Sequence, residues 1–177
     1  MINRFAWFAF LLAPALVSGQ PLKLDSLDKL AAKASESVNV NLDGSLLRLA
    51  SRFLSSNDAD EAQVKKIVAG LKGVYVRNFE FSKAGQYQES DIEAIRNQLR
   101  EAKWHHVVEV RGRNNNADVC LRQDGDNITG LAIIVAEALE LTVVYIDGPI
   151  DMDGLSKLSG NFGIPEGIRN KVEKKSK

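Results

Sequence analysis

The feature that most constrains the fold is the stretch from Ile128 to Gly160, which holds the densest apolar sequence outside the N-terminus. Two runs rich in β-branched residues are separated by the short link 137–140. This composition favours two long central strands over the rival interpretation, a helix through residues 133–141. The Asp124-Gly125 pair that precedes the first run is typical of a hairpin turn.

Both faces of the first of these strands are apolar. Leu131, Ile133 and Val135 alternate with Ala132, Ile134 and Ala136. A strand that is apolar on both sides lies centrally in its sheet and needs cover on both faces. We therefore expect helices to pack on the sheet, and the face with the smaller residues is a candidate contact for a second subunit.

The first half of the chain has helical periodicity. Helices are expected after Asp25, Asp43 and Asp58. Asp25 can cap the first helix, and Asp58 with Glu61 resembles a capping box for the third. The segment 38–41 is interpreted as a break between the first two. The inward faces are expected to be Leu27, Leu30, Ala31 and Ala34; Leu46, Leu49, Ala50 and Phe53; and Val64, Ile67, Val68 and Leu71.

Residues 74–81 alternate and predict a strand, with a bulge at Arg77-Asn78. A helix follows, for which Ser90 and Glu93 form a capping-box pattern. Further strands are expected at residues 107–111 and 117–122. The prediction is an α+β fold, in which N-terminal helices pack on a mixed, mainly antiparallel sheet of about five strands in β-α-β-β-β-β order.

The N-terminus has the pattern of a secretory signal peptide. Arg4 precedes an apolar run, and Val17 and Gly19 suit a cleavage site before Gln20. We expect export to the periplasm or the medium without a lipid anchor, since no cysteine lies near that site. A retained N-terminal anchor is the alternative. The predicted organisation is a signal peptide at 1–19, a single α+β domain at 20–165 and a basic C-terminal tail at 166–177.

Composition narrows the class of partner. The 23 basic and 23 acidic side chains balance, whereas a nucleic-acid-binding protein normally carries a basic footprint. A single cysteine, Cys120, excludes an intramolecular disulfide. We expect an unknown protein or small ligand of the cell envelope as partner, and the smaller-residue face described above is the candidate contact for a homo-oligomer.

A metal site is one candidate chemistry. His105 and His106 stand close in sequence to Glu109 and Asp118. Adjacent residues on a strand point to opposite faces, so both histidines cannot ligate one ion without distortion. The favoured interpretation is a helix-to-strand junction with Trp104 packed and the histidines partly exposed.

A second candidate is a calcium loop around Asp147, Asp151 and Asp153. Placing Gly154 at the loop's required glycine puts Pro149 at the first ligand position and Gly160 at the twelfth, where glutamate is needed. The pattern fails at both ends. A turn at residues 148–149 followed by an aspartate helix cap explains the segment better.

Four further groups carry weaker signals, and the first three have two interpretations each. Arg111 and Arg113 can hold an anion or form a solvated hairpin end. Cys120 can be a nucleophile or a structural thiol. The tail from Ile168 to Lys177 can touch acidic lipid headgroups or be a solvated helix end, and Asn127-Ile-Thr129 matches a glycosylation acceptor in a eukaryotic host.

Several segments resemble a known bacterial family. They are LLRLASRFL at 46–54, GVYVRNFEF at 73–81 and ELTVVYIDGPIDMDGLSKLSGNFGIP at 140–165. The chain is similar to the domain of unknown function 4252 family, found in secreted or lipoprotein components of Bacteroidetes and Acidobacteria. The resemblance implies a Gram-negative envelope protein and supplies no catalytic residues. This chain lacks the cysteine of the lipoprotein members.

We predict no catalytic, cofactor-binding or metal-binding residues and no cofactor. The first hypothesis is a non-enzymatic binding or protein-interaction module of the cell envelope. The second is a metal-dependent or hydrolytic enzyme of the periplasm, which uses His105 or His106 with Glu109 or Asp118.

Overall fold

The computed structural model describes residues 21–151, except residues 102 and 114 and the side chains of 59 and 60. The signal peptide and basic tail expected from the sequence lie outside this part. The described elements are a 3-10 helix (Asp25–Leu30), β1 (Glu36–Asp43), α1 (Gly44–Ser51), α2 (Ala59–Gly70), β2 (Gly73–Glu80), α3 (Glu89–Leu99), β3 (Trp104–Arg111), β4 (Asn115–Asp124), β5 (Asn127–Glu137) and β6 (Glu140–Asp147).

The strands form one six-stranded sheet in the order β1-β2-β6-β5-β4-β3, and every neighbouring pair is antiparallel. The predicted α+β class is confirmed, as are the two long strands on either side of the link 137–140. The additional strand is β1, which contains the segment 38–41 expected to be a break. Its short alternation becomes a strand because all eight residues pair with β2.

One face of the sheet, called the covered face, carries the main core. The 3-10 helix contributes Leu27 and Leu30, and α3 contributes Ile92, Ile95 and Leu99, all fully buried. These three α3 residues recur at helical spacing and therefore share one side of the helix. They pack with strand residues of the same face, which include Phe79, Cys120, Ala132, Ile134, Leu141, Val143 and Tyr145.

The smaller-residue side of β5 is therefore the covered one. Ala132, Ile134 and Ala136 lie under the helices, so the expectation that this side meets a second subunit is wrong.

Helix α3 begins at Glu89, and its capping box is formed by Gln88 and Asp91, so the predicted pair Ser90 and Glu93 is wrong. The backbone N–H of Gln88 donates to Asp91 Oδ2 at 2.9 Å. The Asp91 carboxylate also binds Lys29 Nζ at 2.7 Å. The Lys29 ammonium and the Gln88 amide both lower the pKa of Asp91.

Helix α1 follows Asp43, as predicted, and Asp43 caps it by accepting from the backbone N–H groups of Ser45 and Leu46. The expected inward stripe is wrong, however, because Leu46, Leu49 and Phe53 are exposed and Leu47 is the buried residue. Asp43 is both the last residue of β1 and the helix cap. The strand therefore fixes the rotation of α1, and a periodic pattern alone does not show which side faces the sheet.

Strand β2 has no bulge at Arg77-Asn78, and that prediction is wrong. The apparent slip arises because Arg77 occupies a covered-face position, where its Nε donates to Asp28 Oδ1 at 3.1 Å. The register irregularities lie instead between His106 and Val108 in β3 and between Arg122 and Gln123 in β4.

The contrast between Ile134 and Leu49 provides a stability test. Ile134→Ala removes a fully buried side chain and should lower the free energy of unfolding by about 2–5 kcal/mol. Leu49→Ala changes a half-exposed position and should stay within about 0.5 kcal/mol of the parent. Urea denaturation measures both, and equal losses would show that Leu49 is buried after all.

Candidate binding face

The opposite side of the sheet, called the open face, has an uninterrupted row of β-branched side chains. Each member pairs in register with a member on the neighbouring strand, and none of them has a polar side chain. Five are half-buried and the one on β3 is 40% exposed. This apolar row consists of Val40, Val76, Val144, Ile133, Val119 and Val108.

A second row lies next to the apolar row on the open face. It crosses the same six strands and also carries no formal charge. Asn78 Nδ2 donates to Thr142 Oγ1 at 2.9 Å, which ties β2 to β6 within the row. This mixed row consists of Val38, Asn78, Thr142, Val135, Ala117 and Val110.

Helices α1 and α2 cover one end of the open face. Leu47 of α1, Leu71 and Ile150 form a small buried cluster there. Ile150 is held in place because its backbone N–H donates to the carbonyl oxygen of Ile128 at 2.9 Å. Strand residues that pack against this cluster include Leu42, Val74, Ile146 and Leu131.

Three glutamates border the other end of the open face. Glu36 of β1 pairs in register with Glu80 of β2, and Glu80 pairs with Glu140 of β6. Glu140 Oε1 accepts from Asn78 Nδ2 at 2.6 Å, which places the carboxylate beside the mixed row. Among the ion pairs formed within the described chain, none includes a member of this glutamate row.

The covered face, by contrast, neutralises its charges internally. Asp118 is 1% exposed, and its carboxylate accepts from Arg96 Nε at 3.0 Å and from Arg111 at 2.6 Å. Arg96 also contacts Glu89, and Arg111 also contacts Glu109 at 2.8 Å. A buried carboxylate needs such partners, because an unpaired charge in the interior is costly.

A second buried group surrounds Arg122. Its guanidinium contacts Asp147, donates to the Tyr145 hydroxyl at 3.1 Å and lies 5.6 Å from the Trp104 ring centre. Burial, with the charge of Asp147 nearby, raises the pKa of Tyr145. Asp147 therefore serves an internal ion pair, which explains one member of the calcium pattern considered above.

The rest of that pattern has little support. Gly148 has a φ of +129°, which fits the predicted turn at residues 148–149. Asp153 and Gly154 lie outside the described residues. Within the described part, no group of three or more His, Cys, Asp and Glu side chains could hold a metal ion.

The histidines separate as expected. His106 lies on the covered-face side, 3.4 Å from Cys120 Sγ, whereas His105 pairs with Leu121 on the other side. Both are exposed, and Trp104 packs against the core. The contact between His106 and Cys120 could not be read from the sequence, since only strand pairing brings the two together.

Cys120 is fully buried. Burial, together with the negative charges of Asp118 and Glu109, raises the pKa of its thiol to about 11. A nucleophile needs the thiolate, which this environment disfavours at neutral pH. The geometry therefore supports a structural thiol.

The arginines of the β3–β4 hairpin end have different roles. Arg111 pairs with Glu109 and Asp118, as described above, so it is not free to hold an anion. Arg113 is exposed and lines a shallow polar depression with Tyr87, Glu89 and Glu137. Asn127 begins β5 and is exposed, while the basic tail lies outside the described residues.

Comparison with known protein families gives one match. The family described as a domain of unknown function (DUF4252) matches residues 32–158. The chain belongs to this family. Its activity is not defined by that description, and neither a curated protein nor a solved structure matches the chain. In the described part of this DUF4252 protein, no helix is long and apolar enough to span a membrane.

The sequence predicts the strands that form most of the open face but not β1 at its edge. Ile133 and Val135 were assigned correctly to an apolar side of a central strand. Val38 and Val40 were missed because β1 was interpreted as a break. The alternation of Val38 and Val40 with polar residues was a signal for a strand, like the alternation that predicted β2.

Asp118 provides a test of the buried charge group. Asp118→Ala leaves the buried Arg96 without its main interior partner and should cost about 3–5 kcal/mol of stability. Glu109→Ala is the control, since it removes only the exposed partner of Arg111 and should cost about 0–1 kcal/mol. Chemical denaturation distinguishes them, and similar losses would contradict the buried pairing.

Cys120 provides a test through pH. The folded pKa of the thiol is about 11, which exceeds its unfolded value. The contribution of the protonated thiol to the free energy of unfolding is therefore complete below the unfolded pKa and is lost as the pH rises towards 11. The free energy of unfolding should therefore fall more steeply for the parent than for Cys120→Ala between about pH 8.5 and 11. Thiol labelling at pH 7.5 should be roughly a hundredfold slower in the native state than in urea. Equal labelling rates would refute a buried, protonated thiol.

Proposed function

We propose that this DUF4252 protein is a non-enzymatic binding module of the bacterial cell envelope that engages a protein partner through its open face. The observation that supports this most directly is the apolar row, which six strands present without a polar interruption. Exposed contiguous apolar surface with a polar border is typical of interaction sites.

The arrangement of the sheet strengthens this proposal. Central strands that are apolar on both faces require cover, and among the described elements only α1, α2 and the residues around Ile150 cover the open face, at one end. Binding a partner over the remaining rows would remove half-exposed valines from water. The free-energy gain scales with the apolar area that is buried.

The enzymatic alternative has less support. Among the described residues no three His, Cys, Asp or Glu side chains come together as metal ligands. His105 and His106 take opposite sides of the sheet, and Asp118 is already bound by two arginines. The buried thiol of Cys120 disfavours covalent catalysis for the reason given above. A binding role, by contrast, is supported by the apolar row of the open face.

Export forms part of the same proposal. The N-terminal pattern at residues 1–19 supports secretion into the periplasm, and the absence of a cysteine near Gln20 favours a form without a lipid anchor. N-terminal sequencing of the periplasmic protein should begin at Gln20.

Site-specific photocrosslinking in expressing cells tests the binding role. A photoreactive residue at Ile133 should give a discrete adduct with a different protein, because this position lies at the centre of the apolar row. The same residue at Glu101, exposed just beyond α3, is the matched control and should give none.

A second substitution separates binding from chance contact. Val144→Asp introduces a charge beside Ile133 and should abolish the adduct, whereas Leu49→Asp on the exposed side of α1 should leave it intact. Thermal melting verifies that both variants fold. No adduct at Ile133, or an adduct formed only between two copies of the chain, would overturn the proposal of a protein partner.

A further inference from the structure

The open part of the sheet face has the dimensions of a docked helix. Six strands at a spacing of about 4.8 Å give the apolar row a length of about 24 Å. A helix with a rise of 1.5 Å per residue covers that length in about 16 residues. The covered face of the same sheet already binds a helix, α3.

The apolar and mixed rows restrict what can touch them. Neither row contains a charged side chain, and the mixed row interrupts its small and branched apolar groups only with Asn78 and Thr142. A charged group pressed against these rows would lose its water and gain no partner. The contacting side of a ligand must therefore be apolar.

The glutamate row restricts which part of a ligand can lie beside the apolar and mixed rows. Like charges directly opposite each other on neighbouring strands are unfavourable, and Glu36, Glu80 and Glu140 stand opposite one another across three strands. Glu36 and Glu80 are exposed and Glu140 is half-buried. A cation placed along this border would relieve the repulsion and form charge-assisted hydrogen bonds.

Two other occupants fit less well. An anionic membrane surface would be repelled by the three glutamates. A second copy of this chain would match the apolar row, but within the described residues its own open-face rows supply no cation for the glutamates. The combination favours a different protein.

We propose that the occupant of the open face is an amphipathic helix of a partner protein that carries Lys or Arg beside its apolar stripe. This inference rests on the proposed binding function. The apolar stripe lies on the apolar and mixed rows, and the cations lie over Glu36, Glu80 and Glu140. The apolar contact provides most of the affinity, while the ion pairs determine the orientation of the helix and its selection against acidic helices.

Binding of designed peptides to the purified full-length mature protein tests this chemistry. The probe is a fluorescent 16-residue peptide with a leucine stripe flanked on one side by lysines, a length taken from the rise of an α-helix. Two comparison peptides replace the lysines with glutamine or with glutamate, and a third scrambles the order to destroy the amphipathic pattern. Fluorescence anisotropy should rank the affinities as lysine, glutamine, glutamate and then scrambled.

A triple variant tests the glutamate row. Glu36→Gln, Glu80→Gln and Glu140→Gln together should weaken binding of the lysine peptide by roughly tenfold, with little change for the glutamine peptide. The difference should shrink at 1 M salt, where exposed charges are screened. The matched control, Glu93→Gln, Glu101→Gln and Asp126→Asn, makes the same change in net charge away from the open face and should retain the parent affinity.

The outcomes separate this inference from the proposed function. Equal binding of the lysine and glutamine peptides would overturn the cationic partner and leave the binding role intact. An equal loss in both triple variants would show a general charge effect and also overturn it. Binding to anionic phosphatidylglycerol vesicles but not to the peptides would overturn it and assign the face to a membrane. An affinity for the lysine peptide that appears only after Lys171, Lys174 and Lys175 are changed to glutamine would also overturn it and assign the face to the chain's own basic tail. Loss of the Ile133 adduct in cells is a separate result, which concerns the binding role itself.

Discussion

The structure depends on the need of β5 and β6 for apolar cover on both faces. Ile133 and Val144 point to one side of the sheet, while Ile134 and Val143 point to the other. Helix α3 and the 3-10 helix provide this cover on one side, and on the other side the described residues provide it at one end. This constraint explains why the two strands lie at the centre of the sheet and why helices pack on them. It also explains why rows of apolar side chains stay partly exposed on the open face.

The two faces handle charge in opposite ways. The covered face buries Asp118, Arg96 and Arg122 but provides each with a partner inside the protein. The open face keeps its central rows uncharged and places its glutamates at the border. A surface of this kind is compatible with water when it is free and with an apolar partner when it is bound, which is the combination that a reversible binding module requires.

Much of this could be predicted from the sequence where the signal was local. The β5–β6 hairpin, the helix that follows Asp43 and the separation of His105 from His106 depend on residue type and on local periodicity, and all three agree with the structure. The sides of α1, the capping box of α3 and the existence of β1 depend on which neighbour each segment meets. Leu46, Leu49 and Phe53 have a convincing helical period, yet the position of Asp43 turns them towards solvent. The ion pairs of Asp118 and Arg122 join distant residues, so no local pattern indicates them.

The buried charges of β4 also protect the alignment of that strand. Asp118, Cys120 and Arg122 alternate with Ala117, Val119 and Leu121, so one face of the strand is charged where the other is apolar. A slip of one residue would turn Asp118 away from Arg96 and Arg122 away from Asp147, and both charges would then point to the open face. Gly130 adds a steric requirement, because a side chain at that position would lie 3.2 Å from Cβ of Arg122. The ion pairs of Asp118 and Arg122 therefore favour the observed register of β4 over one shifted by a single residue.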